Sequence, residues 1–286
     1  MRHPNLIALL AGSVVFLSAC EDSSQASVSR AIDDVAAVDE KNLGELMLVA
    51  GDPDEAVTYF STRLEERPDS IGNMRGLARS LVRAGRVTEA VPVWRRVTQH
   101  PEGEPDDAVM LADAHIRSND WAEAEKTLNA VPPTHETFDR YRLEAMIADS
   151  KEDWSRADHF YETAVGLTTR PAGVFNNWGY SKLTRDEPRE AERLFNQALQ
   201  HDPELFTAKN NLALARAAQG NYSLPMVRMS QPERAQLLYT MAIAAIRKGD
   251  THVGRTLLED AIETHPRHYE EAVRAMRALD GGGRDL

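Results

Sequence analysis

Apolar positions along this chain recur every three to four residues in runs of about a dozen, and small or turn-forming residues interrupt the runs at regular intervals. The pattern is most complete from Ala172 to Leu205, AGVFNNWGYSKLTRDEPREAERLFNQALQHDPEL. Phe175, Trp178 and Leu183 share one face of a first helix, and Ala191, Leu194, Phe195, Ala198 and Leu199 share one face of a second. Gly179 and Ala191 are small because two helix axes approach closely only where a side chain is missing or short. Pro188 fits the first turn of the second helix, with Asp186 expected to cap it, and Pro203 ends it. The spacing predicts a helical hairpin with an apolar interior.

The same offsets return elsewhere. A first hairpin uses Leu43, Gly44, Met47, Ala56 and Phe60, with Gly51-Asp52-Pro53 as its turn. A second uses Leu77, Ala78, Leu81, Ala90, Trp94 and Val97, turning at Gly85, and its Pro92 predicts a late or distorted second helix. A third has Leu111, Ala112, Trp121, Ala124 and Leu128 and closes early at Pro132-Pro133. A fourth has Tyr141, Ala145, Trp154, Ala157, Tyr161 and Ala164. A sixth begins with Asn211, Leu212, Ala213 and Gly220, but Pro225 occupies the position of the small alanine, so an irregular connection is expected between about Asn221 and Gln231. Regularity resumes with Leu238, Met241, Ala242, Gly249, Leu258, Ala261 and Pro266, where Gly254 replaces the packing alanine. Tyr269 to Leu279 reads as a solvating cap.

A hairpin of this composition with a period of about 34 residues resembles the tetratricopeptide (TPR) repeat. The expectation is an all-α TPR superhelical solenoid of about seven helix pairs with a C-terminal capping helix. The array proper is expected over residues 37–230, and the last repeat and cap over 231–280.

Residues 1–19 carry Arg2, an apolar run from Leu6 to Leu17 and small residues before Cys20, the only cysteine. The run is too short to span a bilayer, which takes roughly 20 residues, and reads as a signal peptide. Leu17-Ser18-Ala19-Cys20 resembles the lipobox of bacterial lipoproteins, which implies cleavage before Cys20 and its acylation; the other reading is an ordinary cleaved signal. Glu21 in place of an inner-membrane aspartate points to the outer membrane. Residues 20–36 read as a flexible tether and 281–286 as a frayed tail.

Stacked hairpins present their first helices to a groove that suits a peptide or a partner helix. Asn176-Asn177 and Asn210-Asn211 lie one period apart, and Asn42 shares the register of Asn177 and Asn211. Such amides form a ladder of donors and acceptors for a peptide backbone, or else they only stabilise helix starts. Tyr180 adds an aromatic contact one turn from Asn177. Lys182 and Lys209 read as solvated surface or as partners for a carboxylate, the four tryptophans as core, and Met226 and Met229 as packing or an adaptable contact.

Catalytic and metal signatures do not assemble. Pro266 separates His265 from His268, and His135-Glu136 lacks the second histidine of a zinc-protease helix. There is no phosphate loop, no nucleophile elbow and no spare cysteine, so neither an enzyme nor a cofactor is expected. The net charge of −12 argues against nucleic acid and anionic lipid headgroups as partners and favours a neutral or basic one.

NNWGYSKL, LFTAKNNLALARAAQGNY, the Leu-Pro-Met step and QPERAQLLYTMAIAAIRKGD together resemble the TadD-like lipoprotein family of Tad (tight adherence, Flp) pilus-assembly systems. That resemblance implies a periplasm-facing, outer-membrane factor whose partner is a secretin or another assembly component. A TPR lipoprotein of another envelope machine, serving outer-membrane protein insertion or a different secretin, shares these features.

Overall fold

The computed structural model describes residues 42–281. The expected signal peptide, Cys20, the expected tether, residues 37–41 of the expected array and residues 282–286 of the tail lie outside them. Two compact units divide at Gly103.

In the first unit α1 spans residues 42–49, α2 Pro53–Glu66, α3 Ile71–Arg83 and α4 Val87–Gln99. The Asp52 carboxylate accepts from the Asp54 and Glu55 amides, so a side chain starts α2 where Pro53 cannot donate. A Cβ on Gly76 would stand 2.3 Å from the Phe60 ring, which explains why α3 carries glycine where it crosses α2. Contrary to expectation, α4 starts on time and runs through Pro92. The carbonyl that the missing Pro92 amide would have met belongs to exposed Thr88, which water can satisfy.

The second unit contains α5 (Pro105–Arg117), α6 (Trp121–Asn129), α7 (Phe138–Ser150), α8 (Trp154–Gly166), α9 (Ala172–Thr184), α10 (Pro188–His201), α11 (Phe206–Ala218), α12 (Gln231–Lys248), α13 (Thr251–Thr264) and α14 (Glu270–Gly281). Each helix packs on its neighbours in chain order, and first helices also meet the next first helix, as α5 does α7, α7 does α9 and α9 does α11. That two-way contact is a solenoid stack. All described regular structure is helical.

The hairpins share one turn. A single residue with positive φ follows every first helix except α1: Asn119 (63°), Glu152 (60°), Asp186 (61°), Gly220 (76°) and Gly249 (94°) in this unit, and Gly85 (72°) after α3 in the first. Asp186 therefore sets the turn and does not cap α10, whose N-cap is Glu187. Inside the central hairpin a Cβ on Gly179 would lie 2.7 Å from the fully buried Phe195 ring, and Ala191 is fully buried. Gly254 likewise leaves no room, since its Cβ would come within 2.4 Å of Ile246.

Counted over the described residues, seven first helices are present and six have a second. The exception is α11, after which residues 221–230 form an irregular strap. Tyr222, Leu224 and Met229 of the strap pack on the α11–α14 core and Val227 on the α9–α11 core, while Met226 is fully exposed.

Candidate functional site

The face built by α7, α9, α11 and α12 carries two neighbouring cavities. One, of about 330 Å³, is lined by Met146, Asp149 and Ser150 of α7, Asn176, Asn177, Tyr180, Ser181 and Thr184 of α9, and Trp121, Trp154 and Tyr161. The other, of about 660 Å³, is lined by Leu183, Leu214, Ala217, Tyr239, Thr240, Ile243 and Arg247 among others. Tyr180 and Thr184 belong to both, so the two form one trough with Tyr180, 53% exposed, standing between them.

Helix geometry explains which residues reach the trough. Ala145, Gly179, Ala213 and Ala242 are buried small residues of successive first helices. The next residue is rotated by about 100°. Those residues are Met146, Tyr180, Leu214 and Ile243, and all four line the trough.

A polar network underlies the smaller cavity. Asp149 accepts from the Tyr161 hydroxyl (2.8 Å) and the Ser181 hydroxyl (2.6 Å), with Arg185 3.9 Å away. Burial pushes the Asp149 carboxyl above its ordinary value, against the pull of these donors. Burial also pushes the Tyr161 phenol well up, reinforced by the Asp149 charge, so Tyr161 remains a donor. Asp158 shows the opposite balance. Burial would raise it, but hydrogen bonds from Arg185 (3.0 and 2.7 Å), Lys182 (2.9 Å) and the Trp178 indole (2.6 Å) hold it at about 2.

The predicted asparagines divide. Asn176 and Asn177 line the smaller cavity; Asn210, Asn211 and Asn42 are not among the residues lining either cavity. The ladder runs between helices and is partly consumed within the protein: Asn211 Nδ2 donates to Asn176 Oδ1 (3.0 Å), Thr240 Oγ1 donates to Asn210 Oδ1 (2.7 Å), and Asn177 Nδ2 faces Met146 Sδ at 3.7 Å. Asn42 is exposed on α1 of the first unit.

Other expectations need correction. Lys209 is fully buried and donates to Glu233 (3.0 Å), with Glu204 at 3.5 Å; Lys182 is largely buried between Asp158 and Glu187. Of the tryptophans only Trp94 is deeply buried. Trp121 and Trp154 begin their helices, and there their rings reach the cavity. The Arg185 guanidinium lies over the Trp154 ring, 4.9 Å from its centre. His265 stacks on Tyr269 while His268 turns to Glu270. Apolar side chains at the trough register, Met146, Leu214 and Ile243, carry no polar repeat of the kind that marks the asparagines. Their signal was their place immediately after each small residue.

A family model for the tetratricopeptide repeat matches residues 75–133 and 176–224. No curated protein matches the chain in sequence. Among solved structures the chain is similar to a chain of the APC/C hetero-tetramer Cut9-Hcn1 (TM-score 0.59, 12% identity, 82% of this chain and 48% of that one). It is also similar to human IFIT1, solved as a dimer with PPP-AAAA (0.63, 16%, 85% and 63%), and to a thermophilic TPR protein of Thermus thermophilus (0.55, 16%, 62% and 97%). The chain thus spans about half the length of the first of these and under two thirds of the second. The repeat model thus covers two stretches of the chain, and the likeness in fold is that of an all-α solenoid of tetratricopeptide-type hairpins.

Proposed function

We propose that this protein is a non-catalytic scaffold that holds a segment of a partner protein in the trough across α7, α9, α11 and α12. The observation that carries the reading is the alignment of Met146, Tyr180, Leu214 and Ile243 on successive helices, where they line one continuous, largely apolar trough. TPR arrays bind protein partners through surfaces of this kind. Asn177 and Tyr180 are the polar contacts placed to orient the segment, and Asn176, Asn210 and Asn211 hold the helices that present them.

The finer reading is that of a Tad-type pilus-assembly lipoprotein, acylated at Cys20, facing the periplasm from the outer membrane and binding a secretin segment or another assembly component. The lipobox-like LSAC and the NNWGYSKL stretch support it. Anchoring raises the local concentration of trough and client, so weak binding becomes useful avidity.

A photo-crosslinking residue placed in cells at Tyr180 or Ile243 is expected to capture the pilus secretin or a companion assembly protein, while one at exposed Arg193 on α10 is not. Equal capture from Arg193 would refute the trough. Cys20→Ala is expected to release the protein to the soluble periplasmic fraction and to abolish surface pili; a variant still in the membrane fraction would remove the anchor from the account.

A further inference from the structure

We propose that the smaller cavity takes a basic side chain of the bound segment, an arginine above all, an inference that rests on the trough being the binding face. Three aromatic residues from three helices, Trp121, Trp154 and Tyr180, line a space of about 330 Å³. That volume is at the small end of ligand pockets and suits one long side chain better than a stretch of backbone. Aromatic faces attract cations, and a planar guanidinium stacks on them more readily than an ammonium does. The protein already contains one such contact, Arg185 over Trp154.

Charge points the same way. Asp149 lines the cavity and remains partly accessible, its side chain 19% exposed. Each of its oxygens accepts one hydrogen bond within the protein, from Tyr161 or Ser181, and retains a second lone pair for an incoming donor. Behind it two cations serve three carboxylates: Lys182 pairs with Asp158 and Glu187, and Arg185 pairs closely with Asp158 and stands 3.9 Å from Asp149, so one negative charge of the cluster is left in excess. The chain as a whole carries a net charge of −12, which draws a basic segment towards it. An acidic anchor would meet Asp149, and a purely aliphatic one would leave that carboxylate's free lone pairs covered and unpaired.

The test uses the folded chain and N-acetyl-argininamide as probe, with N-acetyl-leucinamide and N-acetyl-glutamine amide as comparators, read by tryptophan emission and by calorimetry. The arginine probe is expected to saturate and to bind about tenfold more tightly than the leucine probe, as a partly exposed cation–π contact would give. Its affinity should fall at high salt. Asp149→Asn is expected to weaken it about tenfold. Because Asp149 also holds Tyr161 and Ser181, Tyr180→Ala supplies an independent check at an exposed position: it should weaken the arginine probe severalfold with an unchanged melting curve. Equal or tighter binding of the leucine probe, or no saturation by arginine, overturns the proposal. If that happens while crosslinks from Ile243 persist, only the basic anchor is lost; if those crosslinks vanish too, the trough reading falls with it.

Discussion

The central hairpin and the repeat after it begin alike and end differently. Both have a first helix with paired asparagines, α9 and α11, and both turn through a residue of positive φ, Asp186 or Gly220. Beyond the turn, Ala191 continues as a helix while Pro225, at the same offset, does not. The strap that replaces the helix still covers the core, using Tyr222, Leu224, Val227 and Met229. It is pinned by Arg216, which donates to the Ser223 carbonyl (3.2 Å) and hydroxyl (2.8 Å), and by the Tyr222 hydroxyl on Asp250. A repeat array therefore tolerates the loss of a second helix provided its apolar cover and its turn survive, and the first helix stays available to the trough.

The deeper contrast lies at one position. Phe175 in α9 is buried and stacks on His201 with ring centres 5.6 Å apart; one period later stands Lys209, buried completely but held by Glu233 and Glu204. Glu233 also closes the capping box of α12 with Ser230, and the Ser230 amide, followed by the Lys209 ammonium, lowers its carboxyl from the usual range. Lys209 thus ties α11 to the start of α12 across the strap. Phe175→Ala is expected to lose about 4 kcal/mol in urea unfolding through cavity formation. Lys209→Ala should lose less, about 2–3 kcal/mol, because the stranded Glu233 is partly exposed. Lys209→Met should come within about 1 kcal/mol of the parent. If Lys209→Met proves as damaging as Lys209→Ala, the ion pair does more than fill space.

Within the intact hairpin, Gly179→Leu is expected to cost about 2–3 kcal/mol because the Phe195 ring already lies inside the reach of a Cβ there. The drop should appear as a lower urea midpoint at constant slope. An unchanged midpoint would mean that α9 and α10 can separate freely, contrary to the close contact described.

Much of this was legible because close packing imposes it on residue type. Gly179, Ala191 and Phe195 reveal a hairpin wherever they recur, and Pro225 announced where one would fail. Lys209 and Lys182 were illegible because a lysine's burial depends on carboxylates from other helices, Glu233 and Asp158, which spacing within one helix does not reveal. Trp121 and Trp154 looked like core since a large apolar residue usually is; their place at the first turn of a helix, beside a gap between first helices, turns them to the cavity. The asparagines were found, but their partners were not: a one-residue offset pairs Asn211 with Asn176 instead of with its own equivalent, Asn177.

The two carboxylates beneath the trough give a smaller, pH-resolved comparison. Asp158 is depressed from its ordinary 3.8 to about 2, so its contribution to stability is present above pH 3.8 and is lost as pH falls through about 2. Asp149 is raised by burial, so it weakens the fold as pH climbs from 3.8 towards its own higher value. Asp158→Asn should flatten the stability curve between pH 3.8 and 2, and Asp149→Asn should flatten it above 3.8. Circular dichroism of urea unfolding across this range separates them, and a common window for both variants would contradict the assigned shifts.

The smallest expected effect returns to the turn that the intact and broken repeats share. Asp186 holds φ at 61° with a side chain, whereas Gly220 holds 76° without one. Left-handed backbone costs an L-residue about 1 kcal/mol, somewhat less for aspartate, and glycine almost nothing. Asp186→Gly should therefore stabilise the central hairpin by about 0.5 kcal/mol after the greater entropy of the unfolded glycine is set against the relieved strain, and Gly220→Ala should destabilise its neighbour by about 1 kcal/mol. Thermal unfolding of the pair decides the matter by sign: opposite shifts show that one turn geometry serves both repeats, so that the chain departs from its period only after the turn, at Pro225. Two shifts of the same sign would place the departure earlier, within the turn itself.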